Sequence, residues 1–86
     1  MTDASPKLYL SLAAATAIYE RVSAETGVPM DKLLSESREP DIVRARRMVM
    51  VAMQDRGASV MMIGKRMQLN HSSVIYGLRK YQGQAA

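Results

Sequence analysis

SVMMIGKRMQLNHSSVIYGLRK, residues 59–80, decides the fold. Ser59 is a good helix cap, and Met62 and Ile63 follow as core candidates. The spacing predicts a short helix through about Met67 and a tight turn over Gln68 to Asn70. A last helix then runs from about His71 to Gln82, with Val74, Ile75, Leu78 and Tyr81 as its apolar stripe. A capped short helix, a three-residue turn and a second helix form the layout of a helix-turn-helix. In that motif the first residues of the second helix reach base edges in the major groove. Here they are Asn70, His71, Ser72 and Ser73. Asn and His can hydrogen-bond base edges, and Ser can bond bases or phosphates. The helix N-terminus adds its own attraction for phosphate. Capping is the competing reading. It explains Asn70 fully and the serines in part, but it does not explain His71, the chain's only histidine.

Moving outward, nearly every segment reads as helix. Ser5-Pro6 supplies a capping hydroxyl followed by proline at a first helical position. Leu8, Leu12, Ala15, Ile18, Tyr19 and Val22 then form one stripe, and Gly27 is the natural stop. Val28-Pro29 opens a short second helix through Leu33 and Leu34. Ser35 to Glu39 is a polar connection that Pro40 closes. A third helix is predicted from about Ile42 to Arg56, with Ile42, Ala45, Val49, Ala52 and Met53 on one side and Gly57 at its end. Gly83 is expected to end the last helix, with Gln84 to Ala86 fraying. No strand pattern occurs. The expectation is an all-α protein: a five-helix bundle containing a helix-turn-helix.

At 86 residues the chain is one domain, residues 1–86. It has no Cys, Trp or Phe, so disulfides and thiolate metal sites are excluded. Charge is uneven. Residues 1–36 carry three basic and five acidic side chains (3 − 5 = −2); residues 37–86 carry nine and three (9 − 3 = +6). A basic half on a small chain points to a polyanion. Nucleic acid ranks first and an anionic membrane surface second. The longest uncharged stretch, Leu8 to Tyr19, is far shorter than the about 20 residues a membrane-spanning helix needs. A cytoplasmic protein with no membrane partner is expected.

Enzyme chemistry finds little support. One His, no Cys and scattered carboxylates make neither a triad nor a metal cluster, so no catalytic residue, metal or cofactor is expected. Gly64-Lys65 superficially suggests a phosphate-binding loop, but the glycine spacing is wrong and Arg66 stands where Ser or Thr is needed. Gly64 reads as a small residue where helices pack closely. Arg44, Arg46 and Arg47 carry more information. They sit in the opening turns of the third helix, where positive charge opposes the helix dipole at about 0.3–1 kcal/mol each. Asp41 offsets part of that. Arginine suits phosphates and narrow minor grooves; a solvated basic patch is the alternative. Lys65, Arg66, Arg79 and Lys80 could extend the footprint. The methionines at 48, 50, 53, 61, 62 and 67 read as core rather than as an adaptable partner groove.

Three segments, in order, resemble the C-terminal DNA-binding domain of the bacterial replication initiator DnaA, a Trp repressor-like helix-turn-helix. They are AETGVPMDKLLSESR (24–38), VRARRMVMVAM (43–53) and residues 59–80. The likeness spans about residues 18–82, leaving residues 1–17 as an added N-terminal helical extension. The resemblance implies that Arg44 enters the minor groove, with Arg46 in the same basic region. It also implies that Asn70, His71, Ser72 and Ser73 read the major groove, and that the start of the fourth helix, near Ser59 to Met61, faces phosphate. The chain departs from the family pattern in several places. The turn before His71 is one residue shorter and lacks the Gly-Gly-Arg. Asp becomes Asn70, two threonines become Ser72 and Ser73, and the proline after Arg44 becomes Ala45. Sequence preference is expected to differ accordingly. No nucleotide-binding loop accompanies the domain, so the expectation is a stand-alone, initiator-like module without ATPase activity. It would bind double-stranded DNA sequence-specifically and regulate replication or transcription by occupying sites. A second copy or a regulatory protein is a further candidate partner; a small-molecule substrate is not. The rival reading is a protein-interaction module, an initiator mimic that binds a host initiator or regulator. A single-strand binder is disfavoured because only Tyr could supply stacking platforms.

Overall fold

The computed structural model describes residues 10–35 and 37–85. Five helices occur among them: α1 (Leu12–Thr26), α2 (Met30–Leu33), α3 (Pro40–Asp55), α4 (Val60–Met67) and α5 (His71–Ala85). No strand occurs among the described residues, so the protein is all-α.

Helix α3 is the central strut. Ile42, Ala45, Val49, Met50, Ala52 and Met53 are buried along it. Helices α1 and α5 both pack on α3, and α4 packs on α5. The core is filled by Leu33, Met53, Ile63, Val22, Val49 and Val74, the largest fully buried side chains. No polar or charged residue is buried among the described residues. Met50, Met53 and Met67 are core, Met48 and Met62 pack partly buried against it, and Met61 stays 69% exposed. The methionines therefore mainly fill gaps.

The ends of α1 and α5 differ from expectation. The Ser5-Pro6 cap and Leu8 lie outside the described residues. Within them, Leu10 and Ser11 are not helical, and Ser11 is the cap. Its backbone is extended and its hydroxyl accepts from the Ala14 amide at 3.1 Å. Starting the helix at Leu12 turns that residue outward, 67% exposed, while Leu10 enters the core at 3%. Gly27 does end α1, in the left-handed conformation at φ 78°. Proline at the first position starts α3 two residues earlier than the apolar pattern suggested. Helix α5 passes through Gly83. A glycine costs a helix interior only about 1 kcal/mol, and Gln84 and Ala85 beyond it are good helix formers. In α5, Val74 and Leu78 are buried, but Ile75 is exposed and Tyr81 only half-buried.

A hydrogen bond joins α1 to the end of α4. The buried Tyr19 donates its hydroxyl to the Arg66 carbonyl at 3.2 Å. Burial raises the Tyr19 pKa above its ordinary 10.0, partly offset by the nearby Arg66 charge. The folded state therefore holds this proton more tightly than the unfolded chain. Its contribution to stability is fully present below pH 10 and is lost as pH rises through the raised folded value. Tyr19→Phe is expected to be less stable than the parent at pH 8 by about 1 kcal/mol. The gap should narrow above pH 10, as urea denaturation at both pH values would show.

Candidate nucleic-acid interface

The turn between α4 and α5 is built by three local devices. Ser59 caps α4, its hydroxyl accepting from the Met62 amide at 3.1 Å. Gln68 ends α4 in the left-handed conformation, φ 59°, and donates its amide to the Gly64 carbonyl. Leu69 donates to that same carbonyl at 2.8 Å. Asn70 then caps α5: its Oδ1 accepts from the Ser73 amide at 3.2 Å and from the Ser73 hydroxyl at 3.3 Å. Asn70 and Ser73 are thus engaged with each other. His71 and Ser72 beside them are exposed, and nothing in the cap accounts for either. Asn70→Ala is expected to cost about 1 kcal/mol of stability through the lost cap. A matching fall in thermal midpoint would check it, and an unchanged midpoint would show that the cap carries no weight.

The arginine cluster divides by role. Arg44 is exposed. Arg46 is half-buried: its Nη2 donates to the Ser37 carbonyl, and its Nε is buried without a hydrogen-bond partner. Burial, and next the Arg47 charge, lower its pKa from the ordinary guanidinium value. Arg47 lies over the Tyr76 ring at 5.9 Å from the centroid, and Lys80 approaches the same ring at 5.5 Å. Arg46, Arg47, Ser73 and Tyr76 share one cleft of about 190 Å³ between α3 and α5. The structure therefore brings two of the three arginines beside the first turn of α5. Arg44 lines a different groove, with Glu39, Asp41 and Lys32. Ser59, the cap of α4, and Lys65 on it are exposed. Arg66, half-buried, directs its Nε to the Leu10 carbonyl at 2.8 Å. No group of acidic, His or Cys side chains able to hold a metal occurs among the described residues. No helix among them is long and apolar enough to cross a membrane.

Two members of this surface escaped the sequence reading. Tyr76 is 58% exposed, one turn beyond Ser72 and Ser73 on α5. The i+3 and i+4 spacing was the available signal. Arg38 is exposed in the connection before α3. That loop is braced on both sides. The Ser35 hydroxyl donates to the Lys32 carbonyl (2.7 Å), and the Ser37 amide donates to Ser35 Oγ (3.2 Å). The Glu39 amide donates to Ser37 Oγ (3.2 Å). Arg46 holds the Ser37 carbonyl. Serines flanking an arginine were the signal here, since Ser hydroxyls fix turns by bonding nearby backbone.

A capped short helix, a tight turn and a second helix with an exposed polar first turn, beside an arginine-bearing face, define a helix-turn-helix module. The family model described as the bacterial DnaA protein helix-turn-helix matches residues 15–80. The chain belongs to that family, a family of double-stranded DNA binders. No curated protein and no solved structure matches the chain significantly.

Proposed function

We propose that the protein binds double-stranded DNA sequence-specifically and regulates replication or transcription by occupying its sites, acting in the cytoplasm. The observation that carries this reading is the first turn of α5. His71 and Ser72 are exposed there beside a fixed Asn70 cap, with Arg46 and Arg47 across one cleft. In this reading His71 and Ser72 face base edges in the major groove, with Asn70 and Ser73 beside them. Arg44 and the loop-borne Arg38 lie at the other edge, toward the minor groove, where arginine is favoured. Ser59, Lys65, Arg47 and Lys80 lie along the backbone between. Residues 1–86 form one domain. Residues before the family-matched segment add to its core, as the burial of Leu10 supports.

Phosphate contacts should dominate affinity. With about four to six of them, log K against log salt should slope near −4 to −5. The test is selection from a randomised duplex library at about 150 mM salt, within the range where binding is salt-sensitive. A recovered motif is the expected result. Salt-sensitive binding without a motif would replace this reading with a nonspecific binder.

A second reading, a protein-interaction module that engages an initiator or another regulator, draws on a different observation. Leu12 and Leu34, 67% and 53% exposed, line one largely apolar groove of about 400 Å³ with Tyr19, Met30 and Met67. Tight partner binding by a variant with Arg44, Arg46 and Arg47 neutralised would favour it. Failure to select any duplex would point the same way.

A further inference from the structure

Arg66 stands in the last turn of α4, two residues before the left-handed Gln68. It is held twice. Its Nε donates to the Leu10 carbonyl at 2.8 Å, across 56 positions of sequence. Its own carbonyl accepts the Tyr19 hydroxyl at 3.2 Å. That carbonyl belongs to the end of a helix, where acceptors lack helical partners. Leu10 is itself buried, so the lead-in to α1 is anchored rather than loosely attached. The two bonds tie the same point of α4 to α1 and to its lead-in. The next residue, Met67, is buried, and the turn that sets α5 begins immediately after it.

We infer that Arg66 is a positioning residue and does not contact DNA phosphate: through it, the lead-in and body of α1 fix the turn that presents α5. Leu10 and Ser11 precede the family-matched residues 15–80, so this chain uses residues outside the shared pattern to hold its recognition helix. The consequence for DNA rests on the function proposed above. The positioning itself does not.

The test uses the full chain with Arg66→Gln, Arg66→Lys and Tyr19→Phe. The first readout is amide hydrogen exchange at Gln68 and Leu69, whose N–H groups both bond the Gly64 carbonyl. Losing one hydrogen bond should speed exchange there by about five- to tenfold relative to the amide of Met53 in the core. The second readout is affinity for a selected and an unrelated duplex across salt. Arg66→Gln should leave the salt slope unchanged while the ratio of selected to unrelated affinity falls about five- to tenfold. Arg66→Lys should not restore that ratio, because lysine keeps the charge but not the in-line Nε donor. A slope reduced by about one, with rescue by lysine, would place Arg66 on phosphate and overturn the inference. Unchanged exchange at Gln68 and Leu69 in every variant would overturn it as well. If Arg66→Gln does not fold, Tyr19→Phe removes a single hydroxyl and carries the same test. If the parent binds no duplex, the proposed function fails, and hydrogen exchange alone still decides the positioning.

Discussion

Gly64→Ala is expected to destabilise the protein by about 2–3 kcal/mol, near the upper end of overpacking costs. A Cβ on Gly64 would stand 2.6 Å from the Leu69 carbonyl oxygen, and 3.6 Å and 3.7 Å from the carbonyl carbons of Leu69 and Asn70. These are backbone atoms of the turn, and they cannot rotate away as a side chain can. The carbonyl of Gly64 also receives the amides of Gln68 and Leu69, so the same residue is held from both sides. Relieving the clash means moving the turn, and α5 with it. Better helix propensity returns only about 1 kcal/mol. For a domain of this size, each kcal/mol shifts the thermal midpoint by roughly 4–8 °C. A fall of about 10–20 °C follows.

Gly77→Ala is the internal control. Its Cβ would also meet a neighbour at 2.6 Å, but that atom is Met50 Sδ, with the Met50 methyl at 3.1 Å. Methionine is unbranched and re-packs readily, and the gain in helix propensity offsets much of the cost. A change within about 1 kcal/mol is expected there. Equal midpoints for the two variants would show that the turn does not sit against Gly64 as described. The contrast is chemical: the same distance is costly against a carbonyl and cheap against a thioether.

The helix-turn-helix was legible because its signals are local. Ser59 and Asn70 cap the helices that follow them, as their side-chain chemistry requires. Gly64 announced a close approach, although its neighbour is the turn rather than another helix. The start of α1 was not legible. Ser5-Pro6 and Ser11 are both credible caps, and local chemistry cannot rank two caps in one apolar run. A single helix read through this segment misses the break at Ser11, which is why Leu12 was expected inside and Leu10 was not. The turn hides one of its own parts. Gln68 takes the left-handed conformation that glycine usually fills, so composition gave no sign of it.

The candidate site shows a different limit. Sequence reveals a positive charge but not where a long side chain carries it. Arg46 and Arg66 were read with the other basic residues. The heads of both bond backbone carbonyls within the fold, at Ser37 and Leu10. Arg38 sits in a connection whose bracing depends on Arg46, nine positions from Ser37. Tyr76 was assigned neither to the apolar stripe of α5 nor to the interface; Arg47 and Lys80 both approach its ring. The Arg46, Arg66 and Arg47 pairings are tertiary, and no local pattern encodes them; the Tyr76–Lys80 approach, four residues apart on α5, is local.

His71→Ala should cost the selected duplex about 1–3 kcal/mol, roughly 5- to 150-fold in affinity, and flatten the preference at the contacted base. The side chain is exposed, and the Asn70 cap bonds Ser73 rather than His71. Removing it therefore leaves the fold and the helix start intact, so the loss would report contact and not stability. Lys65→Ala is the complementary case. Lys65 is exposed on α4 and offers a charge without base-reading geometry. Its loss should weaken every duplex alike and reduce the salt slope by about one. The two variants thus move different observables. His71 changes the motif and not the slope; Lys65 changes the slope and not the motif. Measuring both variants on a selected and a scrambled duplex across salt makes the assignment testable without a complex structure. If His71→Ala weakens both duplexes equally, the first turn of α5 faces phosphate, and base reading must lie elsewhere on the helix. The exposed Ile75 and Tyr76, one turn on, would then be the next residues to change.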